Sequence, residues 1–248
     1  MRDSFRKLER ELVRCRRCQR LVAWRERAAS EAPRSLQGAE YWSRPVPGFG
    51  DERARILVLG LAPGAHGANR TGRPFTGDAS GSLVYGALHR AGSASRAVSK
   101  ARDDGLVLAD ARITNAARCA PPGNRPTAEE LANCFPYLVR ELALLRETRV
   151  ILCLGGIAWA AALALARAWG AELPRPKPRF AHGAELDLGA SFPLVLASYH
   201  PSRQNTNTGR LTRAMFDALV RRAVARSVSG SSPPRVRTVP HHSVLDSR

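Results

Sequence analysis

Three short apolar runs, Ile56-Leu-Val-Leu-Gly60, Val150-Ile-Leu-Cys-Leu154 and Leu194-Val-Leu-Ala197, constrain this chain more than any other feature. Each is aliphatic, uncharged and followed by Gly or a polar turn, the pattern of a strand buried on both faces. A weaker run, Arg112-Ile-Thr-Asn115, repeats the theme. Helical stretches lie between and after them. One starts at Thr127-Ala-Glu-Glu130, where Thr and Glu stand at capping-box spacing, a second follows Gly156, and a third covers about Thr212 to Arg226. Strands alternating with helices predict a mainly parallel sheet covered on both faces, a three-layer α/β/α sandwich. A charged helical segment from near Ser4 towards Ala28 precedes the sheet, and a Pro/Gly-rich passage from Arg44 to Asp51 leads into it. The 248 residues suit one substantial core better than two. A single domain over 1–226 is expected, followed by a Ser-, Pro- and Arg-rich tail, 227–248, whose composition is that of a disordered segment.

Charge narrows the partners. The formal net charge is +18 and the isoelectric point about 11.2, a balance that attracts polyanions. Nucleic acid is the first candidate and an anionic membrane surface the second. Only three of the 39 cations are Lys, so the excess is guanidinium, which grips phosphate through paired N–H groups. Codon bias of a GC-rich genome accounts for part of the preference for Arg, but not for the net charge. Residues 1–20 are charged throughout and hold no apolar signal core, and the longest uncharged apolar run, Val150 to Ala166, is short for a bilayer and broken by Gly155-Gly156. Five Cys argue against a disulfide framework. A reducing cytoplasmic setting, no membrane and a monomer are expected.

Ligands of such sheets bind beyond the carboxyl ends of the strands, so the loops after Gly60, Asn115 and Ala197 should converge. The first, Gly60 to Gly81, holds six Gly in 22 residues, studded with His66, Asn69, Arg70, Thr71, Arg73, Thr76 and Asp78. Gly lets backbone N–H groups approach a ligand closely. No Gly-Lys-[Ser/Thr] occurs, so this is not a phosphate-binding P-loop. The last strand runs into Tyr199-His200-Pro201, then a polar stretch containing Arg203, Gln204, Asn205 and Thr206. Pro201 ends the strand and sets His200 at the sheet's carboxyl edge.

These segments, with Tyr41-Trp-Ser-Arg-Pro-Val-Pro-Gly-Phe-Gly50 and Arg118-Cys-Ala-Pro-Pro-Gly-Asn124, resemble the uracil-DNA glycosylase superfamily, specifically its iron–sulfur type-B branch, family 5. The likeness runs from Cys15 to about Phe216. It implies excision of uracil and other deaminated bases, hypoxanthine among them, from double- and single-stranded DNA. Many relatives carry a carboxylate or Asn in the first motif, whereas Gly60-Leu-Ala-Pro-Gly64 offers only Ala62, which does no acid–base work. The resemblance moves the catalytic role to Asp78, with His200 and Asn124 as polar partners. Cleaving a nucleoside C–N bond builds positive charge on the sugar and negative charge on the departing base, so a carboxylate is wanted near the first and donors near the second. Asp78 suits the sugar and His200 the uracil O2. Phe75 is placed to stack on the flipped base, with Gly60, Ala62, His66 and Asn69 around it. Arg70, Arg73 and the Arg203-to-Thr206 segment are expected to meet DNA.

Cys15, Cys18, Cys119 and Cys134 suit a soft tetra-thiolate site. Zinc ribbons more often use two Cys-x2-Cys pairs, which the 14-residue gap between Cys119 and Cys134 does not match. The resemblance implies a structural 4Fe–4S cluster. Cys153 reads as a core residue. Two rivals stand beside this reading: a nucleic-acid-binding iron–sulfur module without catalysis, which Ala62 favours, and a metal-dependent nucleotide or phosphoester hydrolase, which lacks a carboxylate cluster for Mg²⁺. No catalytic divalent metal is therefore expected.

Overall fold

The computed structural model describes residues 3–229. Its sheet has six strands: β1 (Phe49–Gly50), β2 (Ile56–Gly60), β3 (Ala111–Asn115), β4 (Val150–Leu154), β5 (Glu185–Leu186) and β6 (Leu194–Ser198), in the spatial order β1-β3-β2-β4-β6-β5. The four long strands are parallel, and the two-residue edge strands pair antiparallel. Short antiparallel edges leave little unpaired backbone to recruit another sheet.

Side-chain alternation divides the apolar runs between two cores. Ile56, Val58 and Leu152 face α4 (Ala79–Arg90) and α8 (Arg213–Ser229), with Val84, Leu88, Phe216 and Leu219 closing over them. Leu57, Leu59, Ile151 and Cys153 face α5 (Ala128–Leu144) and α6 (Gly156–Ala168), where Leu138, Leu142, Trp159 and Leu163 pack. The sheet is thus buried on both sides, as expected, and Cys153 is a fully buried core thiol. The capping box at α5 forms: Thr127 Oγ1 accepts from Glu130 N at 3.2 Å and Glu130 Oε2 from Thr127 N at 2.7 Å.

Two helical boundaries differ from expectation. The N-terminal segment is not one helix but two, α1 (Phe5–Leu12) and α2 (Gln19–Arg27). The chain between them turns so that Cys15 and Cys18 reach a pocket shared with α5, while Leu8 and Leu12 pack on Tyr137. At the other end α8 continues through Ser229, past the expected limit at 226. The rest of the expected tail lies outside the described residues. No described helix is long and apolar enough to cross a membrane.

Behind β3 sits a buried ionic knot. Glu141, on α5, accepts from Arg112 Nε at 2.7 Å, from Arg118 Nη2 at 2.6 Å and from Thr114 Oγ1 at 2.7 Å. Burial alone would raise the Glu141 carboxyl, but Arg118 and Arg112 hold it down at about 2. A methyl group on Gly48 would overlap its Oε1, which explains a glycine there. Replacing Glu141 by Ala strands two guanidinium groups, and the expected loss is ~3–5 kcal/mol, read as a fall in denaturant midpoint. A loss below about 1 kcal/mol would show that water solvates the knot.

Candidate active site

The carboxyl ends of β2, β3 and β6 bring Phe75, Asn115 and His200 together, and Asp78 follows Phe75 by three residues on the same loop. Phe75 is 7% exposed and its ring centroid lies 6.2 Å from that of His200. Its backbone is held at φ 52, where bulky side chains seldom rest. Neighbouring bonds impose this: Tyr85 Oη donates to Pro74 O at 2.8 Å, Thr76 and Ser99 hydroxyls meet at 2.6 Å, and Gly77 N donates to Ser99 O at 3.2 Å. Gly60 stands level with Asn115 across β2 and β3, and a methyl group on Gly60 would overlap both the Asn115 carboxamide and the Phe75 ring. Asn115 Oδ1 is buried without a partner among the described residues. An orphaned buried amide beside an aromatic face is poised for a polar ligand.

Asp78 caps α4, accepting from Gly81 N at 2.9 Å through Oδ1. Its Oδ2 lies where a methyl group on Gly67 would sit, so the glycine loop folds back over the carboxylate. Burial raises the Asp78 carboxyl above its ordinary value, opposed by the Gly81 and Ser80 amides and by the charges of Arg203 and Arg70. His200 follows β6 by two residues; β6 ends at Ser198, earlier than expected. Its carbonyl accepts from Asn205 Nδ2 at 2.8 Å, and its Cβ packs against Gly155. Burial pushes the ring down to about 4, so it is neutral at physiological pH.

That depression makes stability depend on pH. The unfolded chain takes up this proton near 6.5 and the folded chain only near 4, so the contribution is complete above 6.5 and lost progressively as pH falls through that window. His182, lowered by burial, adds in the same direction. His200→Gln should flatten the fall in denaturant midpoint between these limits. An unchanged slope would place the responsible group elsewhere.

The other expected contacts divide. His66 is half-buried, and its Nδ1 meets Tyr41 Oη at 2.9 Å. Ala62 is half-buried on the loop after β2. Arg70 is half-buried and hydrogen-bonded to His66 O at 3.0 Å, with its Nη2 beside Gly77. Arg203, Gln204 and Thr206 are exposed on a short helix, α7 (Arg203–Asn207), while Asn205 is turned inward to His200. Asn124 is exposed at φ 56 in the turn before α5. Arg73, expected to meet DNA, is 2% exposed, pairs with Asp104 at 2.6 Å and lies over the Phe49 ring. Asn69, expected near the base, is fully buried, its Nδ2 donating to Arg25 O at 3.0 Å and its Oδ1 without a partner among the described residues. Asn115 was not singled out; its place at the last residue of a weak strand was the available signal.

A second constellation lies beneath α2. Cys15, Cys18, Cys119 and Cys134 all line one pocket. Arg25 Nη1 donates to Cys119 Sγ at 2.9 Å, Asn133 Nδ2 to Cys18 Sγ at 3.5 Å and Arg118 N to Cys134 Sγ at 3.5 Å. Burial pushes the Cys119 thiol up to about 11 and Cys134 up to about 12. Among the described residues no three His, Cys, Asp or Glu side chains converge as they do around a single metal ion.

The sequence profile of the Uracil DNA glycosylase superfamily matches residues 47–223. A Type-5 uracil-DNA glycosylase of Thermus thermophilus is 55% identical over 205 residues, covering 83% of this chain and 90% of that protein. One of Mycobacterium tuberculosis is 53% identical over 210 residues, 84% of this chain and 76% of that protein. Similarity to a Type-4 uracil-DNA glycosylase of Archaeoglobus fulgidus is narrower, 41% over 114 residues, or 46% of this chain and 49% of the relative. Carrying this profile over most of its length and this likeness to type-5 enzymes, the chain belongs to the uracil-DNA glycosylase superfamily, in its type-5 group.

Proposed function

We propose that this protein flips uracil out of DNA and hydrolyses its N-glycosidic bond, the first step of base excision repair, leaving an abasic site. The observation that carries the reading is the meeting of Phe75, Asn115 and His200, a stacking face, an amide with an unpaired oxygen and a neutral imidazole, on the loops beside the buried Asp78 carboxylate that the glycine loop wraps. Phe75 covers one face of the base, and Asn115 reads its polar edge. Asp78 offsets positive charge as the sugar becomes oxocarbenium-like and orients the attacking water. His200 donates an N–H to the uracil O2 as negative charge develops there. Its neutrality is compatible with this task, because a neutral ring still carries one N–H, which stabilises the departing anion without transferring a proton to it. Asn124 lies on the loop leading from β3 and assists at the mouth of the site.

Exposed Arg203, Gln204 and Thr206, with Arg70, meet the DNA where the base leaves the stack. Single- and double-stranded DNA are both substrates, since the flipped nucleotide is what the pocket reads. The protein acts as a monomer in the cytoplasm, at the nucleoid.

Cys15, Cys18, Cys119 and Cys134 hold a structural 4Fe–4S cluster on this reading. Four thiols around one pocket, three of them already receiving N–H donors, fit a tetra-thiolate group wider than a single ion. When bound it supplies cross-linking of α1, α2, the loop after β3 and α5.

A panel of duplexes, each with one uracil, hypoxanthine or modified uracil, tests the base range by release of free base. Release of uracil and hypoxanthine is expected. Tight binding of these duplexes with no base released would favour the non-catalytic module.

A further inference from the structure

Arg25 is a buried cation without a carboxylate of its own. It is 2% exposed; the nearest acid, Glu26, stands 3.9 Å away, largely outside, and is already held by Arg16 at 2.5 Å. Its Nε has no partner among the described residues. What it does touch is sulfur and backbone: Nη1 donates to Cys119 Sγ at 2.9 Å and Nη2 to Cys15 O at 3.2 Å. Burying a guanidinium this way is unfavourable unless an anion sits opposite, and among the described residues that line the pocket there is no Asp or Glu, which leaves the cysteine sulfurs. The same residue has a second end. Its carbonyl accepts from Asn69 Nδ2 at 3.0 Å, and Asn69 lies in α3 (Ala68–Thr71), inside the glycine loop that wraps Asp78. Asn69 and Arg70 carbonyls in turn accept from Ser43 N at 3.1 Å and Trp42 N at 2.9 Å, tying down the 41–43 segment whose Tyr41 meets His66.

We propose that Arg25 is a positioning residue joining the thiolate pocket to the substrate loop: its guanidinium neutralises and fixes the sulfur ligands, and its carbonyl holds Asn69 and through it the loop over Asp78. The proposal rests on the cluster reading above. A positive charge and an N–H on a ligating sulfur stabilise an added electron, so Arg25 also sets the cluster's reduction potential.

The test uses the full chain prepared without air. Wild-type protein should contain iron and sulfide. Arg25→Met should release iron to a chelator at least ~10-fold faster, and its cluster should show a more negative midpoint potential. Asn69→Ala should keep wild-type iron content and potential yet lose excision activity, with KM for uracil-containing DNA raised and kcat lowered. If Arg25→Met fails to fold, Arg25→Lys carries the same test, since it keeps the charge but loses the paired donors, and iron release should still accelerate. Iron-replete wild type with unchanged potential and release rate in the Arg25 variants would overturn the role of the side chain while leaving the cluster reading intact. Wild-type kinetics in Asn69→Ala would overturn the coupling. Wild-type protein without iron and sulfide would remove the cluster reading and the charge role of Arg25 with it.

Discussion

Replacing His200 by Ala should slow release of uracil on the order of 10²-fold or more, the range for losing one preorganised donor, while DNA affinity stays nearly unchanged. On the proposed role the contact to O2 strengthens only as the bond breaks, so its loss should fall on the chemical step. Preorganisation is visible: Asn205 anchors the His200 carbonyl, Gly155 abuts its Cβ and Phe75 flanks the ring. Replacing Asp78 by Ala should also slow the step, by weakening stabilisation at the sugar. A better leaving group separates the two. With 5-fluorouracil, help to the departing base matters less, so the His200 variant should be rescued more than the Asp78 variant in single-turnover rates. Equal rescue of both, or a His200→Ala rate equal to wild type, would remove the role assigned to the imidazole.

Cys119→Ser should abolish iron binding and most of the soluble fold together. Cys119 is 7% exposed, and its thiol accepts from Arg25 in the pocket that the other three cysteines also line, so a hydroxyl there neither ligates a soft metal nor offsets the guanidinium. Cys153→Ser is the control: it lies in the core beneath α5 and α6 and does not line the pocket, so it should keep its iron. Iron content and circular dichroism read both variants. A Cys119→Ser protein that stays folded with full iron would show that the four cysteines are not the ligand set.

The sheet was legible because parallel strands buried on both faces must read as uninterrupted aliphatic runs, and those at Ile56, Val150 and Leu194 do. The strand-end rule located the loops after Gly60 and Ala197. Side-chain roles within them were less readable. Arg73 looks like any other loop cation, and its burial against Asp104, 31 residues on, is not written in the loop's own sequence. Asn69 and Asn115 look equivalent in sequence and both bury a carboxamide oxygen with no partner among the described residues, yet the Asn69 amide donates to a helix carbonyl while Asn115 lies beside Phe75. The break between α1 and α2 was hidden because both halves are charged and helical; what interrupts them is the turn that carries Cys15 and Cys18 to their pocket.

The central claim is that these side chains cut an N-glycosidic bond in DNA, and free base is its direct product. A duplex with a single uracil, incubated with excess protein and a chelator of divalent cations, should release uracil and leave a strand that breaks only on alkaline treatment. Uracil remaining attached in full, or a strand broken without alkali and only when a divalent cation is supplied, would contradict the account.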